Sequence, residues 1–335
     1  MTTEILRRAS TGKAVRDLQQ RLAAAGFAPV GDDAGIFGPA TERAVHAFQE
    51  ARGIRVDGIC GPETWAAVVA SGFALGDRLL YERSPNLRGD DVAELQHRLN
   101  GLGFDAGRED GILGRQSAVA LREFQRNTGL PVDGILGPET LRALARVGSA
   151  TPGSVAAVRE REALREPRRI QDHRVFLAVG PEFQTLGDVI GRALSGIGAQ
   201  TITDFSGEDD STIATRANQY EADLFVALRA GDRSGCRCHY FATGQFRSEA
   251  GFRVAGAIQA ELETVLGPTE GDGPCGRTFA ILRETRMAAV VCEPVGEQDV
   301  EAMGALVAAV ADVGAAITRG IRRGIEEQPA DAGGR

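Results

Sequence analysis

The first half of this 335-residue chain is written twice. From Gly12 it reads Gly-Lys-Ala-Val-Arg-Asp-Leu-Gln-Gln-Arg-Leu, and from Gly89 it reads Gly-Asp-Asp-Val-Ala-Glu-Leu-Gln-His-Arg-Leu. Leu18-Gln19 aligns with Leu95-Gln96, Gly26-Phe27 with Gly103-Phe104, and Phe48-Gln49 with Phe124-Gln125. The run from Val56 to Thr64 aligns with the run from Val132 to Thr140. The offset is 77 residues at Leu18 and 76 at Val56, so one single-residue deletion separates the copies. A period of this kind means one structural unit used twice. Within a copy, Val15, Leu18 and Leu22 form the apolar stripe of an amphipathic helix. Gly26 follows it and can take the left-handed conformation that ends a helix. Thr41–Gln49 gives a second helix with Ala44, Val45 and Phe48 inward. Val56-Asp57-Gly58 is a tight turn, and Pro62 followed by Glu63 opens a third helix through Trp65 and Val68. Each copy therefore reads as a small three-helix module of about 60 residues.

Composition narrows the function classes. The formal net charge of −8 opposes general nucleic-acid binding, because contact with phosphates needs a positive surface. No run of about 18 uncharged apolar residues is present, so no membrane span is expected. Residues 1–20 lack the apolar core of a secretory signal, and the five cysteines (Cys60, Cys236, Cys238, Cys275, Cys292) are odd in number. Both features lead to the expectation of a cytoplasmic protein in a reducing compartment.

The chain divides by composition into residues 1–72, a first module; 73–148, a connector with the second module; 149–173, a charged linker; 174–325, an α/β domain; and 326–335, a disordered tail. In the connector, Leu79-Leu80-Tyr81 is expected to pack against a module. The run Arg-Glu-Arg-Glu-Ala-Leu-Arg-Glu before Pro167 reads as a solvated linker with two helical turns. Beyond it, apolar runs of strand length alternate with helical spacing. Strands are predicted at 174–179, 199–204, 223–228, 236–242 (an edge strand), 279–282 and 289–292. Helices are predicted at 186–197, 211–220, 249–266 and, as one long closing element, 298–325. This order implies a mostly parallel sheet with helices on both faces, and functional residues at the carboxyl ends of its strands.

Two resemblances follow. The Leu-Gln-x-x-Leu, Gly-Ile-x-Gly, Ala-Val-x-x-Phe-Gln and Val-Asp-Gly-x-x-Gly-x-x-Thr-Trp elements make residues 10–70 and 87–147 similar to the type 1 peptidoglycan-binding module. The second copy has Leu141 in place of the tryptophan. Most of these positions are core and turn residues, so they specify the fold and do not fix ligand residues. In the second half, Thr215–Leu228 and Leu282–Glu293 resemble strand segments of the family 3 N-acetylmuramoyl-L-alanine amidases. Those zinc hydrolases cut the bond between muramic acid and the stem peptide. The resemblance implies a zinc held by two histidines and a glutamate, with a second glutamate as general base. Here Pro181 occupies the first histidine position and Arg229 the second. Glu182 is an approximate remnant of the glutamate ligand, and Glu293 keeps the base position.

No metal and no cofactor are therefore expected; zinc enters only if the ligands are rebuilt. Cys236, Cys238 and His239 lie close together, with Cys275 and Cys292 as possible additions, but their spacing is no zinc pattern, and buried small side chains are the simpler account. Arg229 and Glu293 can form a charge pair in the space left by the metal. Glu182, Arg229 and Asp232 are the candidate cleft residues. Asp232 and Glu293 could also pair for glycosidase chemistry, though nothing in the sequence sets their separation.

The tandem modules, the arginine at the histidine position and the run Gly276–Met287 resemble actinobacterial cytoplasmic amidase homologues that regulate cell-wall precursor synthesis. That resemblance implies a non-catalytic protein whose partner is the enolpyruvyl transferase of the first committed step. Peptidoglycan or a muropeptide-like precursor is the implied small ligand. The control of those regulators by threonine phosphorylation in a tail does not carry over, since the residues from Ile325 onward contain no Ser or Thr. Two other readings stay open: a working zinc amidase, and a non-catalytic wall-binding scaffold.

Overall fold

A computed structural model describes residues 5–147, 169–244, 246–268 and 273–327. Most of the expected linker and the expected tail from residue 328 lie outside the described residues. The chain forms two compact units, one with both helical modules and one with the α/β half.

In the helical unit, the first module contains α1 (Lys13–Ala24), α2 (Pro39–Arg52) and α3 (Pro62–Ala70), and the second contains α4 (Asp90–Gly101), α5 (Arg115–Asn127) and α6 (Pro138–Val147). Each has its own apolar centre. Val15, Leu18, Leu22, Phe37, Val45, Phe48 and Val68 fill the first, and Val92, Leu95, Leu99, Leu113, Leu121 and Phe124 the second. The same edge-to-face pair recurs: Phe27 meets Phe48 at 5.5 Å and Phe104 meets Phe124 at 5.7 Å. Of the connector triplet, only Leu80 enters the second core, where it bridges to Leu136; Leu79 and Tyr81 are exposed.

The repeated glutamines explain the repeated loops. Each is buried and ties a turn to the start of the next helix. Gln49 Nε2 donates to Asp57 Oδ1, the Ile59 carbonyl and Thr64 Oγ1, while its Oε1 accepts from the Asp57 and Gly58 amides. Gln125 repeats this with Asp133, Ile135, Thr140 and the Gly134 amide. Gln19 and Gln96 do the same for the loops before α2 and α5. Gly58 has φ +71, a conformation in which its amide meets Gln49 and where a Cβ would strike the His46 ring.

The α/β unit carries a six-stranded sheet in the order β2-β1-β3-β6-β4-β5. The strands are β1 (Arg174–Val179), β2 (Gln200–Asp204), β3 (Leu224–Leu228), β4 (Arg237–Phe241), β5 (Cys275–Arg277) and β6 (Ala288–Glu293). β2, β1, β3 and β6 run parallel; β4 is antiparallel to β6 and parallel to β5. α7 (Gln184–Gly196), α9 (Glu249–Leu266) and α12 (Val310–Glu326) cover one face, where Leu177, Val226, Val290 and Cys292 meet Ile190, Ile258 and Ile317. α8 (Asp210–Gln219) and the short α10 (Ala280–Glu284) pack together on the other. α9 and α12 cross closely: a Cβ at Gly320 would lie 2.5 Å from Ile258 Cα, and one at Gly324 2.7 Å from Val254 Cα.

Three expectations need correction. Residues 279–282 form no strand: Phe279 caps α10, because a four-residue apolar run has no period that separates strand from buried helix. β4 is not an edge strand; the three-residue β5 covers it, and Cys238, His239, Tyr240 and Phe241 are all buried. The closing segment is two helices, α11 (Val300–Ala308) and α12, bent by 85° at Ala309. The turn comes just before the buried stripe of α12 begins at Val313, and no Gly or Pro marks it. Among the described residues no single helix is long and apolar enough to cross a membrane.

Candidate functional site

Because β1, β3 and β6 are parallel neighbours, their carboxyl ends open on one edge of the sheet. The chain leaving β1 carries Pro181 and Glu182, Arg229 follows β3, and Glu293 closes β6. Backbone bonds extend the sheet past its last residues: the Gly180 amide donates to Leu228 O at 2.8 Å, Arg229 to Cys292 O at 3.1 Å and Gly231 to Val295 O at 2.9 Å. Gly231 leaves room for the carboxylate, since a Cβ there would lie 2.8 Å from Glu293 Oε2.

Glu293 is 5% exposed and bound on both oxygens. Its Oε1 accepts from Arg229 Nε at 3.3 Å, and its Oε2 lies 2.9 Å from His239 Nε2. The guanidinium of Arg229 stacks over the Phe279 ring at 4.1 Å and reaches Asp210 Oδ2 at 3.7 Å. Phe279 in turn meets the His239 ring edge-on at 5.4 Å. Glu182 Oε1 accepts from the Ala230 amide at 2.9 Å, which ties the β1 exit to the β3 exit. Asp232 is exposed and shares no hydrogen bond with this cluster among the described residues, and Pro181 lies exposed in the turn before α7.

The charges explain one another. Burial would push the Glu293 carboxyl up, yet its bonds to His239 and Arg229 hold it below the usual range. Burial would lower His239, yet the Cys275 thiol and Glu293 raise it above the ordinary imidazole value. Burial pushes Asp210 up despite Arg229. His239 donates its Nε2–H to Glu293, and that carboxylate favours the imidazolium form.

The sign of the pH dependence follows. Glu293, with its pKa depressed, stabilises the fold above its unfolded value near 4.5, and that contribution is lost as pH falls through the folded value. His239, with its pKa raised, contributes fully below its unfolded value near 6.5, and loses this as pH rises through the folded value. Cys275 shifts in the opposite sense to His239, so the alkaline limb is read in a Cys275→Ser background, where Glu293 is the remaining group that raises His239. There, urea unfolding should show stability declining as pH rises above about 6.5, and His239→Gln should flatten that decline. An equal slope in both proteins would overturn the imidazolium assignment.

The Arg229–Glu293 pair is present as the sequence implied. His239 was weighed only beside Cys236 and Cys238, which are buried on the opposite face of β4 in the apolar core. Its contact with Glu293 depends on β4 returning antiparallel beside β6, in a register that places Arg237 opposite Glu293. Asp210 and Phe279 carried no signal in the sequence, and Cys275 was weighed only as a possible addition to the cysteine–histidine cluster. Among the described residues no group of three His, Cys, Asp or Glu side chains is arranged to hold a metal ion.

Comparison with known proteins follows the same division. The family described as "Putative peptidoglycan binding domain" matches residues 11–68 and 88–144. N-acetylmuramoyl-L-alanine amidase CwlM of Mycobacterium tuberculosis is 36% identical over 291 residues, covering 76% of this chain and 70% of that protein. N-acetylmuramoyl-L-alanine amidase CwlL of Bacillus licheniformis is 36% identical over 160 residues, 42% of this chain and 44% of the relative. Among solved structures, the amidase Ami1 from Mycobacterium smegmatis matches 47% of this chain and 99% of its own, with a TM-score of 0.39 at 17% identity. With paired peptidoglycan-binding modules ahead of an amidase-like α/β domain, this chain belongs to the N-acetylmuramoyl-L-alanine amidase family that includes CwlM.

Proposed function

We propose that this amidase-like protein of peptidoglycan metabolism is non-catalytic and acts as a cytoplasmic regulator of cell-wall precursor synthesis, without zinc or another cofactor. Arg229 carries the reading. The residue at the family's second histidine position is a permanent cation bonded to Glu293 at 3.3 Å. Zinc fits this donor set poorly. Pro181 offers no donor atom, the guanidinium repels a metal ion, and the imidazole at the site has its Nε2 bound to the retained carboxylate. Five free thiols, four of them buried, suit a reducing compartment.

The exit loops with Glu182, Arg229 and Asp232 are the proposed rim for a protein partner, and the enolpyruvyl transferase of the first committed precursor step is the partner to test. Peptidoglycan or a muropeptide-like precursor is the proposed ligand of the helical modules. The test takes protein purified without chelator. Elemental mass spectrometry should find well below one zinc per chain, muropeptides should stay intact, and the transferase should speed up when the protein is added. Near-stoichiometric zinc with muropeptide cleavage that Glu293→Ala abolishes would replace this reading by the working amidase. Sedimentation with sacculi and no effect on the transferase would replace it by the scaffold.

A further inference from the structure

The five thiols are not equivalent. Cys60, Cys236, Cys238 and Cys292 are buried, and Cys275 is partly exposed. Burial pushes the Cys60 thiol up to about 12, and burial together with Cys292 raises Cys238 well above the ordinary range. Cys275 has its pKa drawn down, first by the His239 side chain and then by the charges of His239, Arg277 and Arg237.

The sheet builds this pairing. β4 and β5 run parallel with His239 directly opposite Cys275, so both side chains leave the same face. His239 is 2% exposed, its Nε2 is held by Glu293 at 2.9 Å, and its Nδ1 has no hydrogen-bond partner among the described residues. The ring is thus held at Nε2 by a carboxylate, and its other nitrogen is without a hydrogen-bond partner at the position paired in register with Cys275. A buried ring nitrogen left open in this way calls for an account, and a reactive role beside the thiol is one. Base and nucleophile side by side, with the base oriented by a third group, is the general arrangement of an activated nucleophile.

We propose that Cys275, His239 and Glu293 form a nucleophilic thiol site that takes up low-molecular-weight disulfides by exchange. Cys275 Sγ, as thiolate, attacks one sulfur of the disulfide. A new S–S bond forms to that sulfur and the original S–S bond breaks. The second sulfur leaves with the electron pair and takes the His239 proton, so the protein thiol is oxidised and the small disulfide is reduced to one thiol. The mixed disulfide removes a negative charge beside His239 and leaves the imidazole with Glu293 as its one close carboxylate. The site would thereby couple thiol redox state to the charge cluster at the carboxyl edge of the sheet.

The test uses the full native chain with glutathione disulfide, read by intact mass and peptide mapping, and with iodoacetamide for rates across pH. A single adduct at Cys275 is expected, absent in Cys275→Ser. The native rate should reach half its maximum below the ordinary thiol value of about 8.5. His239→Gln should slow the reaction at neutral pH on the order of tenfold and move that midpoint upward. First reaction at another cysteine, a native midpoint at or above the ordinary value, or reaction only after chelation of a metal would each overturn the proposal. The native profile needs no variant, so a misfolded His239→Gln protein does not protect the idea. Zinc content and muropeptide cleavage are separate readouts, so failure here leaves the non-catalytic reading to stand or fall by itself.

Discussion

Gln49→Ala is expected to unfold the first helical module under conditions where the parent is folded. The side chain is 1% exposed and makes five hydrogen bonds, three through Nε2 and two through Oε1. Truncation strands the Gly58 amide, leaves the Ile59 carbonyl and the Thr64 hydroxyl with only their mutual bond at 3.3 Å, and opens a small cavity. A buried polar group without a partner costs about 1–3 kcal/mol, and water entering the gap will recover part of this. The expected loss is about 3–4 kcal/mol. A domain of about 60 residues holds roughly 3–9 kcal/mol in all, so the loss is a large share of what keeps it folded. Trp65, the one tryptophan of the chain, packs against this core and reports its unfolding by fluorescence. Gln49→Glu should cost a similar amount, since a carboxylate cannot donate to the Ile59 carbonyl and meets Asp57 as a like charge. Exposed Glu50→Ala is the control. If the urea midpoint of Gln49→Ala falls with that control, the glutamine is not the tie that the geometry makes it.

The same glutamines show how far sequence carries. Their recurrence in Leu-Gln and Phe-Gln, each followed by a turn containing Asp and Gly and then a hydroxyl residue, was plain in the repeat. Only the structure shows that one amide closes all three. In the α/β half, the long periodic segments were readable because apolar spacing reports which face is buried; the helix over 249–266 was predicted to the residue. Misreadings fell where the pattern is short or where tertiary context decides. Phe279–Leu282 is too short to show a period, Cys275–Arg277 contains no apolar alternation, and the bend at Ala309 has no local breaker. The site divides the same way. Arg229 and Glu293 were named from their places in the amidase resemblance, which agree with the rule that parallel strands deliver functional residues at their carboxyl ends. His239 and Cys275 arrive on a strand that returns antiparallel and on its short neighbour, a pairing set by register across some fifty residues of sequence.

Glu293→Leu is the second large effect expected, a loss of about 3–5 kcal/mol in the α/β unit by urea unfolding. The carboxylate is the shared anion of two cations, and its removal leaves the His239 ring buried with both nitrogens open and Arg229 with only Asp210 at 3.7 Å. His239 then loses the carboxylate that favours its charged form, while burial continues to oppose that form. Glu293→Gln should cost less, because the amide oxygen still accepts from Arg229 or His239. The informative protein is the double variant Glu293→Leu with His239→Phe. Replacing a whole buried ion pair by apolar groups of similar size is often neutral, so the double variant should be more stable than Glu293→Leu alone, with a coupling of about 0.5–3 kcal/mol. That outcome would mean the network adds little net stability over an apolar filling. Its place at the carboxyl edge, beside a partly exposed thiol, then has to be explained by what it binds or reacts with. A double variant that regains its fold but has lost both transferase stimulation and thiol exchange would assign the cluster to function. One that regains its fold and keeps the stimulation would move the docking surface elsewhere on the chain.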